Sequence, residues 1–282
     1  MGRAFTLIEL LVVITIVIVL LALLVPALDR AVYQAELLRC GANQKSTISG
    51  LQQYAFDNRR YYPQRPLPDR TTATPIAPHQ LTNPTEGAHG PGSYDVRPLL
   101  RGYVLVNKML NDPMVQPVDL EKTSASGGAS DTYYYASQYL WFGWRYVLDS
   151  GTTRLPGMDK FGDTWTGLVY PLAPRRTRTF SVLVSDIDAW TNVAWSSHPD
   201  GNRLYNQVLQ EAPFVGFITQ SLWRTDASQG TWRDALDLNY GYDDGSVARV
   251  SRIVFEMSAG ERMERVNNNF EGSGGWANVP RQ

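Results

Sequence analysis

The 282-residue chain has one cysteine (Cys40), three histidines (His79, His89 and His198) and four lysines among its 26 basic residues. A single cysteine excludes an intramolecular disulfide and any cysteine-cluster metal centre. Three scattered histidines leave few zinc or histidine-based catalytic arrangements to consider. A surplus of positive charge is also missing, since 26 Lys and Arg stand against 27 Asp and Glu for a formal charge of −1. Gripping a phosphate backbone needs a basic excess, so no nucleic-acid partner is expected. Apolar residues are 43% of the chain and charged ones 19%, the balance of globular material rather than of a disordered tail. The preference for Arg over Lys reads as base composition, not as an arginine-specific site.

Charge is missing altogether from residues 10–28, 19 positions bounded by Glu9 and Asp29. Counted from Phe5, the apolar stretch has 24 residues. As a helix it would be about 36 Å long at ~1.5 Å per residue, enough for a ~30 Å hydrocarbon core. It is apolar on every face, as a lipid-facing or fully buried helix must be. Pro26 lies near its outer end, where it interrupts few backbone bonds. A cleavable secretory signal or a plain anchor would fit the length, but Glu9 suits neither. A carboxylate inside the run costs on the order of 2.5–3.5 kcal/mol even on lenient insertion scales. Arg3 alone is also a thin charged region for a signal peptide. An acid within a membrane span calls for a partner.

The stretch Arg3-Ala4-Phe5-Thr6-Leu7-Ile8-Glu9-Leu10-Leu11-Val12-Val13-Ile14 closely resembles the prepilin-type cleavage and methylation motif of type IV pilins and type II secretion pseudopilins. The resemblance implies removal of a leader by a prepilin peptidase between Ala4 and Phe5, N-methylation of Phe5, and Glu9 as the fifth mature residue. The family's usual residue before the cut is Gly. Ala4 departs from it and implies slower or different processing. The resemblance also implies a partner for Glu9: the positive N-terminus of a neighbouring subunit, which offsets the desolvation of both charges.

Past the span, residues 29–62 read as an amphipathic continuation of the helix. Leu37, Leu38, Gln44, Ile48, Leu51, Tyr54 and Ala55 recur near helical spacing. Cys40 falls in this stripe and reads as a small packing residue. Gly41 and Gly50 each weaken the helix by about 1 kcal/mol relative to Ala. Asp57-Asn58 followed by Tyr61-Tyr62-Pro63 is a stop signal. Residues 63–98 carry eight prolines and read as a surface loop. His79 and His89 lie in it without an acid or Cys at ligand spacing. Ser124-Ala125-Ser126-Gly127-Gly128 marks a second loop. Strands are expected at 132–135, 140–148, 180–186, 214–223, 239–242 and 247–255, where Tyr, Trp, Val and Phe gather between breakers. Asp244-Gly245 signals a hairpin turn. The end, 267–282, is polar and Gly-rich and is expected to be loosely ordered. The predicted fold is α+β and pilin-like: a leader (1–4), a membrane or filament-core helix (5–28), its amphipathic continuation (29–62), and a head (63–282) with an antiparallel sheet and long loops.

Asn239 with Asp244-Gly245-Ser246-Val247, preceded by Ser181-Val182-Leu183-Val184-Ser185-Asp186, resembles the C-terminal H-x9-DG element of many large prepilin-like proteins. The element's His is absent, because Asp234 stands in its place. No nucleophile elbow, His-Glu-x-x-His or phosphate-cradling Gly loop appears, so a non-enzymatic chain is expected. Asp186 with Asp188, or Asp243 with Asp244, could pair as carboxylates, but the adjacent Asp243 and Asp244 would face opposite ways on a strand unless the turn bends them together. The same four acids are the candidates for a Ca²⁺ site, whose hard oxygen ligands they could supply; no other cofactor is expected. Trp141, Trp144, Trp190, Trp195, Trp223 and Trp232 could line a glycan surface, although most read as sheet packing.

The expectation is therefore a pilin-like subunit held in the inner membrane as a single-pass protein, N-terminus cytoplasmic and head extracytoplasmic. Its partners would be the prepilin peptidase, membrane lipid, an inner-membrane assembly platform and other pilin or pseudopilin subunits. It would end in a type IV pilus or a periplasmic pseudopilus. The alternative is an anchored extracytoplasmic binding protein, glycan-binding or otherwise, that does not polymerise.

Overall fold

The computed structural model describes residues 6–64, 78, 81–83, 94–111, 136, 138–143, 145–148, 153–169, 176–186, 188–190, 193–196, 223–226, 236–253, 263–267 and 276–280. Helix α1 runs unbroken from Leu7 to Asp57, through Pro26. Residues 7–28 are exposed along their whole length, and no described residue of the head packs on them. The second half is different. Leu37, Cys40, Gln44, Thr47, Ile48, Leu51 and Ala55 are buried, at intervals of one, three or four residues that keep one face to the core. Fully burying a Leu or Ile contributes about 1.5–3 kcal/mol, so this stripe anchors the helix to the head. The helix ends where Asp57-Asn58 signals a stop. The Arg60 amide donates to the Ala55 carbonyl at 2.6 Å and the Asn58 amide to Tyr54 at 3.0 Å. Arg59 and Arg60 take left-handed φ values of 55° and 71° to turn the chain out.

Two short helices follow, α2 (Arg97–Leu100) and α3 (Val106–Met109). The strands begin with β1 (Thr82–Asn83), β2 (Tyr94–Asp95), β3 (Gln138–Leu140), β4 (Arg145–Leu148) and β5 (Thr153–Pro156). They continue with β6 (Trp165–Val169), β7 (Arg176–Phe180), β8 (Val182–Asp186), β9 (Asp188–Trp190) and β10 (Val193–Ser196). The last are β11 (Trp223–Asp226), β12 (Leu236–Tyr242), β13 (Val247–Ile253), β14 (Met263–Asn267) and β15 (Trp276–Pro280). All named pairings are antiparallel, which makes the fold α+β. A four-stranded sheet in the order β13-β12-β8-β3 carries α1, and a seven-stranded sheet runs β11-β10-β9-β15-β14-β6-β7. β1 with β2, and β4 with β5, form separate ribbons.

Side chains alternate along the four-stranded sheet, so each face has its own partner. Gly241 meets Ile48 of α1 on one face. The other face carries an aromatic layer. Trp141 stacks on Trp165 with centroids 4.7 Å apart and planes within 9°, Tyr139 packs on Trp141, and Phe180 on Trp165. Both indole N–H groups are satisfied, Trp141 by the Ser185 hydroxyl at 2.9 Å and Trp165 by the Val182 carbonyl at 2.7 Å.

Several expected elements change. The run 140–148 is broken: β3 ends at Leu140, Phe142 bridges Met158, and Gly143 takes a φ of 54° before β4. The run 180–186 spans two sheets, with Phe180 closing β7 and Val182 opening β8. The end expected to be loose contains β15, paired with β14 from Met263↔Pro280 to Asn267↔Trp276. Backbone pairing suffices there, whatever the side-chain composition. The expected strand 132–135 and all but Trp223 of 214–223 lie outside the described residues. Gly50 does more than weaken a helix: a Cβ there would sit 2.3 Å from the Tyr103 carbonyl oxygen. Its lack of a side chain lets the turn after α2 lie directly on α1.

Gly50→Ala should therefore lower the melting temperature of the detergent-solubilised chain. Overpacking costs ~1–3 kcal/mol against the ~1 kcal/mol that Ala gains in helix propensity. A higher melting temperature would show that the α1–α2 contact yields freely.

Candidate functional site

Three acidic positions carry the chemistry, and each is held differently. At the start of α1, the Thr6 amide and hydroxyl both donate to Glu9 Oε2 at 2.8 Å, and the Glu9 amide donates to Thr6 Oγ1 at 3.2 Å. This is a capping box, with Thr6 as N-cap and Glu9 three residues on. The acid in the apolar helix thus has a partner within its own chain. The pattern Thr-x-x-Glu was readable in the sequence and is the signal that finds it. Ala4 and Phe5 lie outside the described residues.

Midway along the head, the Asp186 carboxyl is fully buried between α1 and the sheet. Its Oδ1 accepts from the Cys40 thiol at 2.9 Å and from Gln44 Nε2 at 2.6 Å, and its Oδ2 from the Asn239 amide at 2.6 Å. Gln44 Nε2 also reaches the Asn239 carbonyl at 3.3 Å, and Asn239 Nδ2 the Leu37 carbonyl at 3.3 Å. Helix α1, β8 and β12 therefore meet at one carboxyl group. Cys40 is a packing residue with a hydrogen bond. Asn239, singled out with the Asp-Gly pair, ties β12 to the helix backbone.

Asp243 closes the far end. Its Oδ1 accepts from the Tyr62 hydroxyl and its Oδ2 from the Gly162 amide, while its own carbonyl accepts from Gln52 Nε2 at 2.8 Å. The hairpin turn forms as the sequence implies, with Gly245 at a φ of 86° and its amide on the Tyr242 carbonyl at 3.0 Å. Asp244 is exposed and accepts from the Ser246 amide at 2.8 Å, which tightens the turn. Burial pushes the Asp243 carboxyl above its ordinary value; Tyr62 and Gly162 pull it down, and the Asp163 and Asp244 charges push it further up. Burial, with Asp243 beside it, pushes the Tyr62 phenol far up, so it stays an O–H donor. The Asp244 carboxyl is lowered by Ser246.

Of the four carboxylates named for Ca²⁺, Asp186, Asp243 and Asp244 are each held by separate partners. Asp186 ends β8 in the four-stranded sheet, whereas Asp188 opens β9 in the seven-stranded one. Asp186 sits at the level of Cys40 and Gln44, Asp243 at that of Gln52 and Tyr62, and Asp243 and Asp244 face different partners. Among the described residues no three His, Cys, Asp or Glu side chains form a group that could hold a metal ion. Of the tryptophans read as a glycan surface, Trp141 is in the core. Trp190, Trp195 and Trp223 belong to strands β9, β10 and β11 of the seven-stranded sheet, and Trp144 and Trp232 are outside the described residues, as are all three histidines.

The fold and these positions define a class: an α+β chain whose N-terminal helix is long and apolar enough to cross a membrane. No protein-family model, curated protein or solved structure matches the chain.

A raised folded-state value for Asp243 means that its contribution to stability is complete below the unfolded value near 3.8 and is lost as pH rises through the folded value. The slope of melting temperature against pH just above 3.8 should thus be less negative in Asp243→Asn. An unchanged slope would contradict this. Millimolar Ca²⁺ should leave melting unchanged relative to chelator, since Asp186 and Asp243 accept from the chain's own donors. A clear upward shift, as mass action requires of a bound ion, would instead give these acids a metal role.

Proposed function

We propose that the chain is a non-enzymatic pilin-like subunit. In this reading a prepilin peptidase cuts between Ala4 and Phe5, Phe5 is N-methylated, and α1 holds the head outside the inner membrane. An assembly platform then draws the subunit into a type IV pilus or a type II secretion pseudopilus, helix against helix with its neighbours. One observation carries the reading: residues 7–28 of α1 are apolar, exposed and continuous with the helix that forms the spine of the head, and Glu9 is their one charge. Such a surface needs lipid before assembly and packed helices after it. Two buried acids of the head, Asp186 and Asp243, are engaged in holding α1 and the hairpin, which supports a structural role for them.

A second reading, an anchored extracytoplasmic binding protein that never polymerises, shares the exposed helix. Glu9 separates the two. In a filament, Glu9→Ala weakens assembly while the chain still inserts in the membrane; in a simple anchor it changes nothing.

Mass spectrometry of the native chain is expected to find a methylated N-terminus at Phe5. A chain beginning at Met1, or at Leu28 after signal cleavage, would overturn the proposal.

A further inference from the structure

We propose that an internal water molecule bridges α1 and β3, donating one hydrogen to Gln44 Oε1 and the other to Gln138 Oε1. It completes the polar layer around Asp186 and does not depend on the membrane reading of α1.

The register of the sheet brings both glutamines to one carboxyl group. Gln138 and Asp186 are opposed residues of β3 and β8, so their side chains leave the same face with Cβ atoms about 4.5–5.5 Å apart. That face is the one under α1. Asp186 meets Cys40 and Gln44 there, whereas the next opposed pair, Tyr139 and Ser185, meets Trp141 in the aromatic layer. Gln44 Nε2 donates to Asp186 Oδ1 at 2.6 Å, and Gln138 Nε2 donates to the Met109 carbonyl, at the end of α3, at 3.3 Å. A polar layer therefore runs from Asn239 on β12 through Gln44 and Asp186 to Gln138 and α3. Gln44, Asp186 and Gln138 are fully buried in it.

Hydrogen bonding in this layer is one-sided. The two amide nitrogens are used, while Gln44 Oε1 and Gln138 Oε1 are buried and accept from no donor among the described residues. Turning either amide over gives no relief. It would set Gln44 Oε1 against the Asp186 carboxyl and the Asn239 carbonyl, and Gln138 Oε1 against the Met109 carbonyl, oxygen facing oxygen. The layer calls for a donor, since a buried acceptor without one costs ~1–3 kcal/mol. Water is the smallest molecule with two hydrogens to give, and internal waters are held by about two to four such groups. A metal ion suits the place less, because the Asp186 carboxyl already accepts at both oxygens from the chain's own donors.

The test is a crystal structure of the full chain in detergent, sharp enough to show ordered water. One solvent peak within about 2.5–3.0 Å of both Gln44 Oε1 and Gln138 Oε1 is expected. Oxygen-17 magnetic relaxation dispersion of the same chain in solution counts its long-lived internal waters. Gln138→Met puts a thioether where the amide was and leaves the water a single acceptor, so that count should fall by one. No peak, a separate water on each oxygen, or a peak ringed by about six to eight oxygens, as a calcium ion would be, overturns the proposal. So does a count that Gln138→Met leaves unchanged. Should Gln138→Met fail to fold, the native crystal structure decides alone.

Discussion

The seating of α1 on the four-stranded sheet centres on a carboxyl group that bulk water does not reach. Asp186 takes donors from the Cys40 thiol and Gln44 of the helix and from the Asn239 amide of the neighbouring strand. Once a carboxyl is buried, each of its oxygens must be satisfied, and this placement of α1 on the sheet satisfies both. An apolar stripe alone would tolerate a slide of the helix along its axis. The polar contact fixes the register, and the register sets where the hairpin turn, the hairpin foot and the apolar span stand relative to one another.

The two halves of the same helix therefore have different surroundings. From Leu37 to Ala55 one face is covered by the sheet and the α2–α3 segment, and burial supplies its stability. From Leu7 to Leu28 every residue is exposed, and the stretch is long and apolar enough to cross a membrane. The capping box holds the Glu9 carboxylate with hydrogen bonds from Thr6, which would reduce the cost of placing it in an apolar surrounding. A helix seated rigidly at one end and naked at the other is a lever: what grips the naked half also positions the head.

The helix and the hairpin were legible because their signals are local. A charge gap gives the span, a 3.6-residue stripe gives the seated half, Asp57-Asn58 gives the stop, and Asp244-Gly245 gives the turn. The polar contact was not legible, because Cys40 and Asp186 are 146 positions apart and nothing local pairs them. Its trace is Gln44, a long polar side chain in a mostly apolar stripe. The switch of sheets at Ser181 is hidden for a similar reason: Phe180 and Val182 are both good strand formers, and only tertiary packing decides that they belong to different sheets. Strand β7, Arg176–Phe180, alternates Arg and Thr, and β15 lies in a Gly-rich end, so neither announces itself by hydrophobicity.

A double-mutant cycle between Gln44→Ala and Asp186→Ala, read by denaturant unfolding of the detergent-solubilised chain, addresses the seating of α1 most directly. If the carboxyl group holds the helix, the two losses are coupled by about 1–3 kcal/mol, because removing either partner already breaks the contact. Losses that add to within ~0.5 kcal/mol would mean that the helix is held by its apolar stripe alone and that Asp186 does not set its register.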